Sequence, residues 1–206
     1  MPLVKRIEAG KNSFAGIWEV TETLEDLQGK SGGTEKIPEE FIREERKRQW
    51  IAVRALLEAL RPGKKIVYDT NGKPFTDDPQ TNISISHSGI YVLVYVSDEL
   101  CGADIERVSG KAERIAKRFL SEREFTEAAQ LPAGALITYW AAKEAAYKRE
   151  GVKEISFRSD IFVGKPDDAE MGIVPVQIYR GGKSINLRVR YETFNDYRIA
   201  LTEPAA

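Results

Sequence analysis

The sequence predicts an α+β fold made of two similar halves, on three observations. First, short runs with strand patterning alternate with two long stretches of helical periodicity, 38–60 and 136–151. Second, helix, turn and paired strands occur once before Cys101 and once after it. That is a repeat in element order rather than in residues, and it predicts two similar halves, 1–100 and 101–206, packed together. Third, 42% hydrophobic and 31% charged residues suit a soluble globular chain with a core to bury.

In the first half, SFAGIWEVTE (13–22) alternates apolar and polar positions as a strand does, and TLEDLQGKSGG (23–33) reads as a short helix entering a Gly-rich loop. Within 38–60, Ile42, Trp50, Val53, Leu57 and Leu60 fall on one helical stripe. Arg46 interrupts that stripe, Arg43, Lys47 and Arg54 flank it, and Arg48 points nearer the polar side. Two readings stay open: a solvated basic face whose stems cover apolar surface, or an anion site. Pro62-Gly63 ends the helix. KKIVYDTNGKPF (64–75) is a short strand and a turn marked by Asn71-Gly72. ISISHSGIYVLVYVSD (83–98) reads as two strands about a Ser-Gly turn. The second, 90–96, is continuously apolar, as if buried on both faces, whereas the ISIS serines are expected to point out of the core.

The second half opens with CGADIERV (101–108), a strand, followed by AERIAKRFLSEREF (112–125), read as one helix carrying the basic stripe Arg114, Lys117 and Arg118. LITYWAAKEAAYKREG (136–151) is the second long helix, rich in alanine where another element must approach closely. PDDAEMGIVP (166–175) reads as an exposed loop, and SINLRVRYETFNDYRIALT (184–202) as two strands turning at Asn195-Asp196.

Composition excludes several functions. With 31 Lys and Arg against 32 Asp and Glu there is no global field for a nucleic acid or a membrane, so charge recognition must be local. One cysteine, Cys101, excludes an intramolecular disulfide and is read as an inert core residue in a reducing compartment; one Cys and one His exclude a structural zinc site. The N-terminal stretch has no apolar core of a targeting signal, and nowhere do 18 apolar residues run together, so the expected location is the cytoplasm. Walker, GxGxxG and HExxH patterns are absent.

The chemistry concentrates between Cys101 and Lys148. Asp104 and Glu106 are two apart on a strand, so they share a face with Cα atoms about 6–7 Å apart. Glu144 and Lys148, spaced i, i+4, share a helix face. A DxE pair alone is more often a solvated strand face, and Glu144 and Lys148 an ordinary helix ion pair, as is Lys143. Here, however, Gly102, Ala103 and Ile105 surround the acids, and buried carboxylates need compensation. Three carboxylates with a nearby lysine point to a hard cation, Mg²⁺ or Mn²⁺, holding a phosphate-bearing substrate. His87, the single histidine, stands between two serines at a strand end; it is either a structural hydrogen-bonding residue or a phosphate or ribose donor. Lys73, in Gly72-Lys73-Pro74, is either a surface-turn residue or a point charge for phosphate.

In this order and spacing, GKP, ISISHS, GADIE, RFLSEREF and WAAKEAAYK resemble the 4′-phosphopantetheinyl transferases, over residues 40–150. The likeness is to the surfactin-synthetase-activating type, whose members are monomers of two halves related by a pseudo-two-fold axis. The resemblance implies transfer of the 4′-phosphopantetheine arm of coenzyme A to a serine of an apo acyl or peptidyl carrier protein, with release of 3′,5′-ADP. It implies that Asp104, Glu106 and Glu144 bind Mg²⁺, that Glu144 or its rival Asp104 takes the serine proton, and that Lys148 neutralises the pyrophosphate. Arg48, Lys73, Ser86 and His87 resemble contacts to coenzyme A, with Pro74 shaping the pocket. Ala141 and Ala103 depart from the family pattern, which has Ser, Cys or Thr and Ile or Val there. The Arg114, Lys117 and Arg118 stripe, with Phe119 and Leu120, is the expected docking edge for an acidic carrier. A Mg²⁺-dependent nucleotide pyrophosphate hydrolase would use the same acids and lysine without needing that edge; the third reading is a non-catalytic module that binds coenzyme A or an acidic partner.

Overall fold

The computed structural model describes residues 2–32, 36–132, 134–166 and 170–204, which form two compact units, Met1–Glu99 and Leu100–Ala206. The fold is α+β in both.

In the first unit the elements are β1 (Leu3–Gly10), β2 (Ser13–Glu19), α1 (Leu24–Lys30), α2 (Glu44–Leu60), β3 (Ile66–Tyr68), β4 (Pro74–Thr76), β5 (Asn82–Ser88) and β6 (Tyr91–Ser97). Four of these strands make an antiparallel sheet in the order β1-β2-β6-β5. On one face Val92, Val94, Val96, Phe14 and Trp18 pack with Trp50, Ile51, Val53, Leu56, Leu57 and Leu60 of α2. The opposite face carries Ala15, Ile17, Leu93 and Tyr95, also buried. Ser84 and Ser86 sit cross-strand from Tyr95 and Leu93 on that face and are 2% and 6% exposed. The alternation of ISIS therefore does not separate core from solvent, because this sheet is covered on both sides.

α2 starts at Glu44 rather than at 38, and Ile42, expected on the buried stripe, is 89% exposed. No Ser, Thr, Asp or Asn stands within 36–43 to cap an earlier start, while Glu44 and Glu45 place negative charge where the helix dipole favours it. Between β3 and β4, Oδ1 of Asp69 accepts from the N–H groups of Asn71 and Lys73, both at 2.8 Å, and Gly72 takes φ 83°. This Asx-type turn presents Lys73.

In the second unit come β7 (Ala103–Arg107), α3 (Lys111–Phe119), α4 (Glu122–Ala128), α5 (Ala135–Glu150), β8 (Ile161–Val163), β9 (Met171–Arg180), β10 (Lys183–Phe194) and β11 (Tyr197–Thr202). Five strands form an antiparallel sheet in the order β7-β11-β10-β9-β8, with α5 packed on it. The stretch expected as one helix over 112–125 is broken at Leu120-Ser121. There Ser121 Oγ accepts from the Glu124 N–H at 3.3 Å and Glu124 Oε2 accepts from the Ser121 N–H at 2.8 Å. This is a capping box, spelled in the sequence as Ser121-x-x-Glu124. Phe119 and Leu120, expected at a docking edge, are 2% and 1% exposed and belong to the core.

The segment 166–175 is not wholly a loop: residues from Met171 onward form β9, while 167–169 lie outside the described residues. Pro175 is tolerated inside β9 because its carbonyl accepts from the Gly164 N–H at 2.8 Å, so its missing N–H faces the short β8 and not the long β10 ladder.

Both units share one topological core. A strand is followed by a long helix and then by a hairpin whose second strand pairs with the first strand: β2, α2, β5 and β6 in one, β7, α5, β10 and β11 in the other.

Candidate active site

In the second unit, β7 delivers the carboxylates. Asp104 pairs with Ala200 and Glu106 with Arg198 on β11, so the two acids share a face, and Ala200 belongs to the core cluster that α5 also lines. Gly102 makes the approach possible. A Cβ placed there would stand 1.9 Å from the Ala145 carbonyl oxygen and 2.7 Å from the Arg149 nitrogen. Its backbone thus lies against that of α5, and its N–H is anchored to Thr202 Oγ1 at 2.9 Å. The alanines expected to admit a close neighbour do so: Ala141, Ala142, Ala145 and Ala146 are all fully buried.

The contact that follows is an ion pair. Lys148 Nζ donates to Asp104 Oδ1 at 2.6 Å, with Asp104 only 4% exposed and Lys148 partly buried. A buried carboxylate needs a cationic partner, and here it has one. Glu144 lies one turn before Lys148 on the same helix face and is partly buried. Glu106 lines a small pocket with Ala112, Ile115, Ile137 and Trp140. Sequence reasoning therefore paired β7 and α5 correctly. Among the described residues, though, no three His, Cys, Asp or Glu side chains are grouped so as to hold a metal ion. The donor set is nonetheless oxygen-only and lies on adjoining elements, chemistry that fits a hard divalent cation.

The sequence reading missed one pair. Lys143, taken for an ordinary helix residue, is 0% exposed and bonded to Glu124, which is 2% exposed, at 2.8 Å. Burial pushes the Lys143 pKa down, against the opposing pull of Glu124. The capping-box spelling around Ser121 was the available signal.

In the first unit the residues expected to contact a nucleotide fall on three elements. Lys73 and Pro74, both partly buried, lie at the start of β4; Lys73 Nζ stands 5.9 Å from the centre of the Phe75 ring. Ser86 is buried on β5, next to exposed His87. Arg46 Nη1 lies against His87 Nε2, and its guanidinium stands 5.2 Å from the Phe41 ring centre. The odd arginine of the helical stripe is thus directed at the histidine. Arg48 stands 3.9 Å from Glu44 and lines a cleft with Val20, Glu45, Gln49, Gly89 and Ile90. Gln49 Nε2 donates to the Gly89 carbonyl at 3.0 Å, tying α2 to the β5–β6 turn.

With that geometry in hand, comparison with known families is decisive. The model of the 4′-phosphopantetheinyl transferase superfamily matches residues 100–202, half of the chain. This chain belongs to that superfamily. Superfamily relatives include 4′-phosphopantetheinyl transferase psf-1 of Bacillus pumilus, 34% identical over 111 residues, covering 50% of this chain and 47% of that protein. Sfp of Bacillus subtilis (strain 168) is 34% identical over 96 residues, 44% of this chain and 42% of its own. A further 4′-phosphopantetheinyl transferase of Bacillus subtilis is 30% identical over 136 residues, 63% of this chain and 58% of its own. The chain spans about half the length of the relatives it matches. The superfamily match contains the whole β7–α5 arrangement, the Asp104–Lys148 pair included. Among the described residues no helix is long and apolar enough to cross a membrane.

Proposed function

We propose that this chain is a monomeric cytoplasmic 4′-phosphopantetheinyl transferase that moves the phosphopantetheine arm of coenzyme A to a serine of an apo acyl or peptidyl carrier protein. The observation that carries this reading is the buried Asp104–Lys148 pair, set within the stretch that matches the superfamily. The serine oxygen attacks the β-phosphorus of the pyrophosphate. A new serine–phosphorus bond forms, the bond from that phosphorus to the bridging oxygen breaks, and 3′,5′-ADP leaves. Glu144 takes the serine proton, with Asp104 as its rival. Lys148 offsets charge on the pyrophosphate, where low dielectric makes a fixed cation effective.

Asp104, Glu106 and Glu144 would hold Mg²⁺ or Mn²⁺, which when bound supplies charge neutralisation at the phosphoryl oxygens. Nucleotide contacts are assigned to Arg48, Lys73, Ser86 and His87, with Pro74 setting the backbone of the β3–β4 turn. The conjunction of Arg46 with His87 favours the anion-site reading of the basic helix face over a merely solvated one.

Arg114, Lys117 and Arg118 are exposed on α3, and Lys117 Nζ stands 5.9 Å from the ring centre of exposed Phe125. They form a basic, partly aromatic edge suited to an acidic carrier, with Phe125 supplying the apolar contact in place of buried Phe119 and Leu120. Arg118→Glu is expected to raise the carrier KM several-fold and leave the KM for coenzyme A unchanged; unchanged carrier kinetics would remove this edge from the proposal.

The test is mass spectrometry of a panel of apo carriers after incubation with coenzyme A and Mg²⁺. The expected result is the mass of one phosphopantetheine added to the carrier serine. Cleavage of coenzyme A without any carrier would instead make the chain a pyrophosphate hydrolase. Binding of coenzyme A without either reaction would make it a non-catalytic module.

A further inference from the structure

The fully buried ion pair of Lys143 with Glu124 lies outside the chemistry assigned above, yet it occupies the residue next to Glu144. Among the described residues, strand β8 is the last strand of its sheet and pairs only with β9. Tyr179 N–H donates to the Asp160 carbonyl and Gly164 N–H to the Pro175 carbonyl, both at 2.8 Å. Because antiparallel ladders alternate, residues 160 and 164 turn their backbone groups toward β9, and Ile161 and Val163 turn theirs to the open edge. Such an edge, buried, demands partners.

The ion pair supplies them. Lys143 Nζ donates to the Ile161 carbonyl at 2.5 Å, to the Phe157 carbonyl at 2.7 Å and to Glu124 Oε2 at 2.8 Å, using all three of its hydrogens. Glu124 Oε1 accepts from the Val163 N–H at 2.8 Å, and Oε2 also accepts from the Ser121 N–H. One pair therefore closes the edge of the sheet, caps α4 and fastens α5.

The alanine face of α5 explains why such a fastening matters. Ala141, Ala142, Ala145 and Ala146 permit close approach but offer short side chains that interlock little with the sheet. A buried ammonium with three fixed acceptors defines the rotation of the helix far better. We propose that Lys143 and Glu124 are positioning residues: their pair locks the rotation of α5 against the β8 edge and so keeps Glu144 and Lys148 turned toward β7. The effect on rate rests on the transferase reading; the effect on the Asp104–Lys148 contact does not.

The test uses K143M and E124Q with two readouts, transfer kinetics and the rate at which an amine-acylating reagent labels Lys148, followed by mass spectrometry. Both variants are expected to lower kcat about 10-fold or more, with the KM for coenzyme A little changed, because the groups assigned to its nucleotide are left untouched. Lys148 should label several-fold faster, since its bond to Asp104 loosens. A folded variant with wild-type kcat and wild-type Lys148 labelling overturns the proposal and leaves the pair merely structural. If K143M does not fold, E124Q keeps the side-chain shape and leaves Lys143 its two carbonyl acceptors, so it carries the test alone. If the wild-type protein modifies no carrier, the transferase reading falls and Lys148 labelling decides by itself: faster labelling supports the lock, unchanged labelling removes it.

Discussion

Counted outward from their hairpin turns, the two sheets can be compared residue by residue. Ser88 pairs with Tyr91 across Gly89-Ile90, and Phe194 pairs with Tyr197 across Asn195-Asp196. One position on, Val92 faces Trp18 and Arg198 faces Glu106; three positions on, Val94 faces Gly16 and Ala200 faces Asp104. The register that holds the two acids in one unit holds a tryptophan and a glycine in the other. Trp18 is core, and the space a Gly16 side chain would need is filled by Leu56, Leu60 and Leu3. The same frame can thus present either packing or charge. What decides is the helix: α2 brings leucines to that face, and α5 brings alanines and Lys148.

The largest expected effect breaks this comparison at its charged end. Asp104→Asn keeps the shape, removes the charge that Lys148 meets, and is expected to cost roughly 100-fold or more in kcat/KM. Glu144→Gln is expected to lose at least as much if Glu144, as proposed, accepts the serine proton. Trp18→Phe, at the position matching Glu106, should leave transfer within about threefold and appear chiefly as a Tm loss, because it removes packing and the indole N–H bond to Glu22 and touches none of the acids. Carrier-modification rates and thermal melts on the three variants decide it. Equal loss of transfer in Trp18→Phe would deny that the acids are what distinguish the units.

The glycines sharpen the point. In Gly102→Ala the new Cβ meets backbone of α5 at 1.9 and 2.7 Å, and backbone cannot swing aside. In Gly16→Ala it meets only leucine tips, at 2.8 Å and 3.2 Å. Gly102→Ala is therefore expected to destabilise by about 3 kcal/mol or more and to separate Lys148 from Asp104, with loss of transfer; Gly16→Ala should cost about 1–3 kcal/mol with transfer retained. Urea melts alongside transfer assays measure both.

The contrast also shows what was legible beforehand. The meeting of Asp104 with Lys148 could be expected because strand and helix periodicities assign faces without knowledge of tertiary contacts, and the alanines announced a close neighbour. β1 escaped notice because Lys5, Arg6 and Glu8 crowd it and Ile7 is its single buried side chain. β9 was hidden by Pro175, harmless only because its nitrogen faces a strand three residues long. Ser84 and Ser86 misled because polarity reports exposure only when one face is wet. Lys143 misled for the same reason: nothing local says that three carbonyl and carboxylate oxygens await its ammonium.

A smaller effect is expected where Arg46 meets His87. His87→Gln removes the ring that Arg46 approaches, and should raise the KM for coenzyme A several-fold with kcat nearly unchanged, since no group of the second unit is altered. A fall in kcat at constant KM would place His87 in the chemistry instead.

The smallest effect concerns charge that serves only the frame of the first unit. The Asp78 carboxylate accepts from Lys64 Nζ at 2.8 Å, from the Gln80 N–H at 3.0 Å and from the Thr81 hydroxyl at 3.1 Å, and chiefly through the lysine the carboxyl is brought from near 3.8 down to about 2. Because the folded value lies below the unfolded one, the contribution is fully present above about pH 4 and is lost as pH falls through about 2. Asp78→Asn should therefore lower Tm by about 1–2 °C at pH 6, a gap that closes as both proteins are brought to pH 2. Transfer at neutral pH should be unaffected, since the loop residues 77–81 carry none of the assigned contacts. A gap that persisted at pH 2 would mean that the substitution acts through packing rather than through charge, and the first unit would then owe this loop to shape alone.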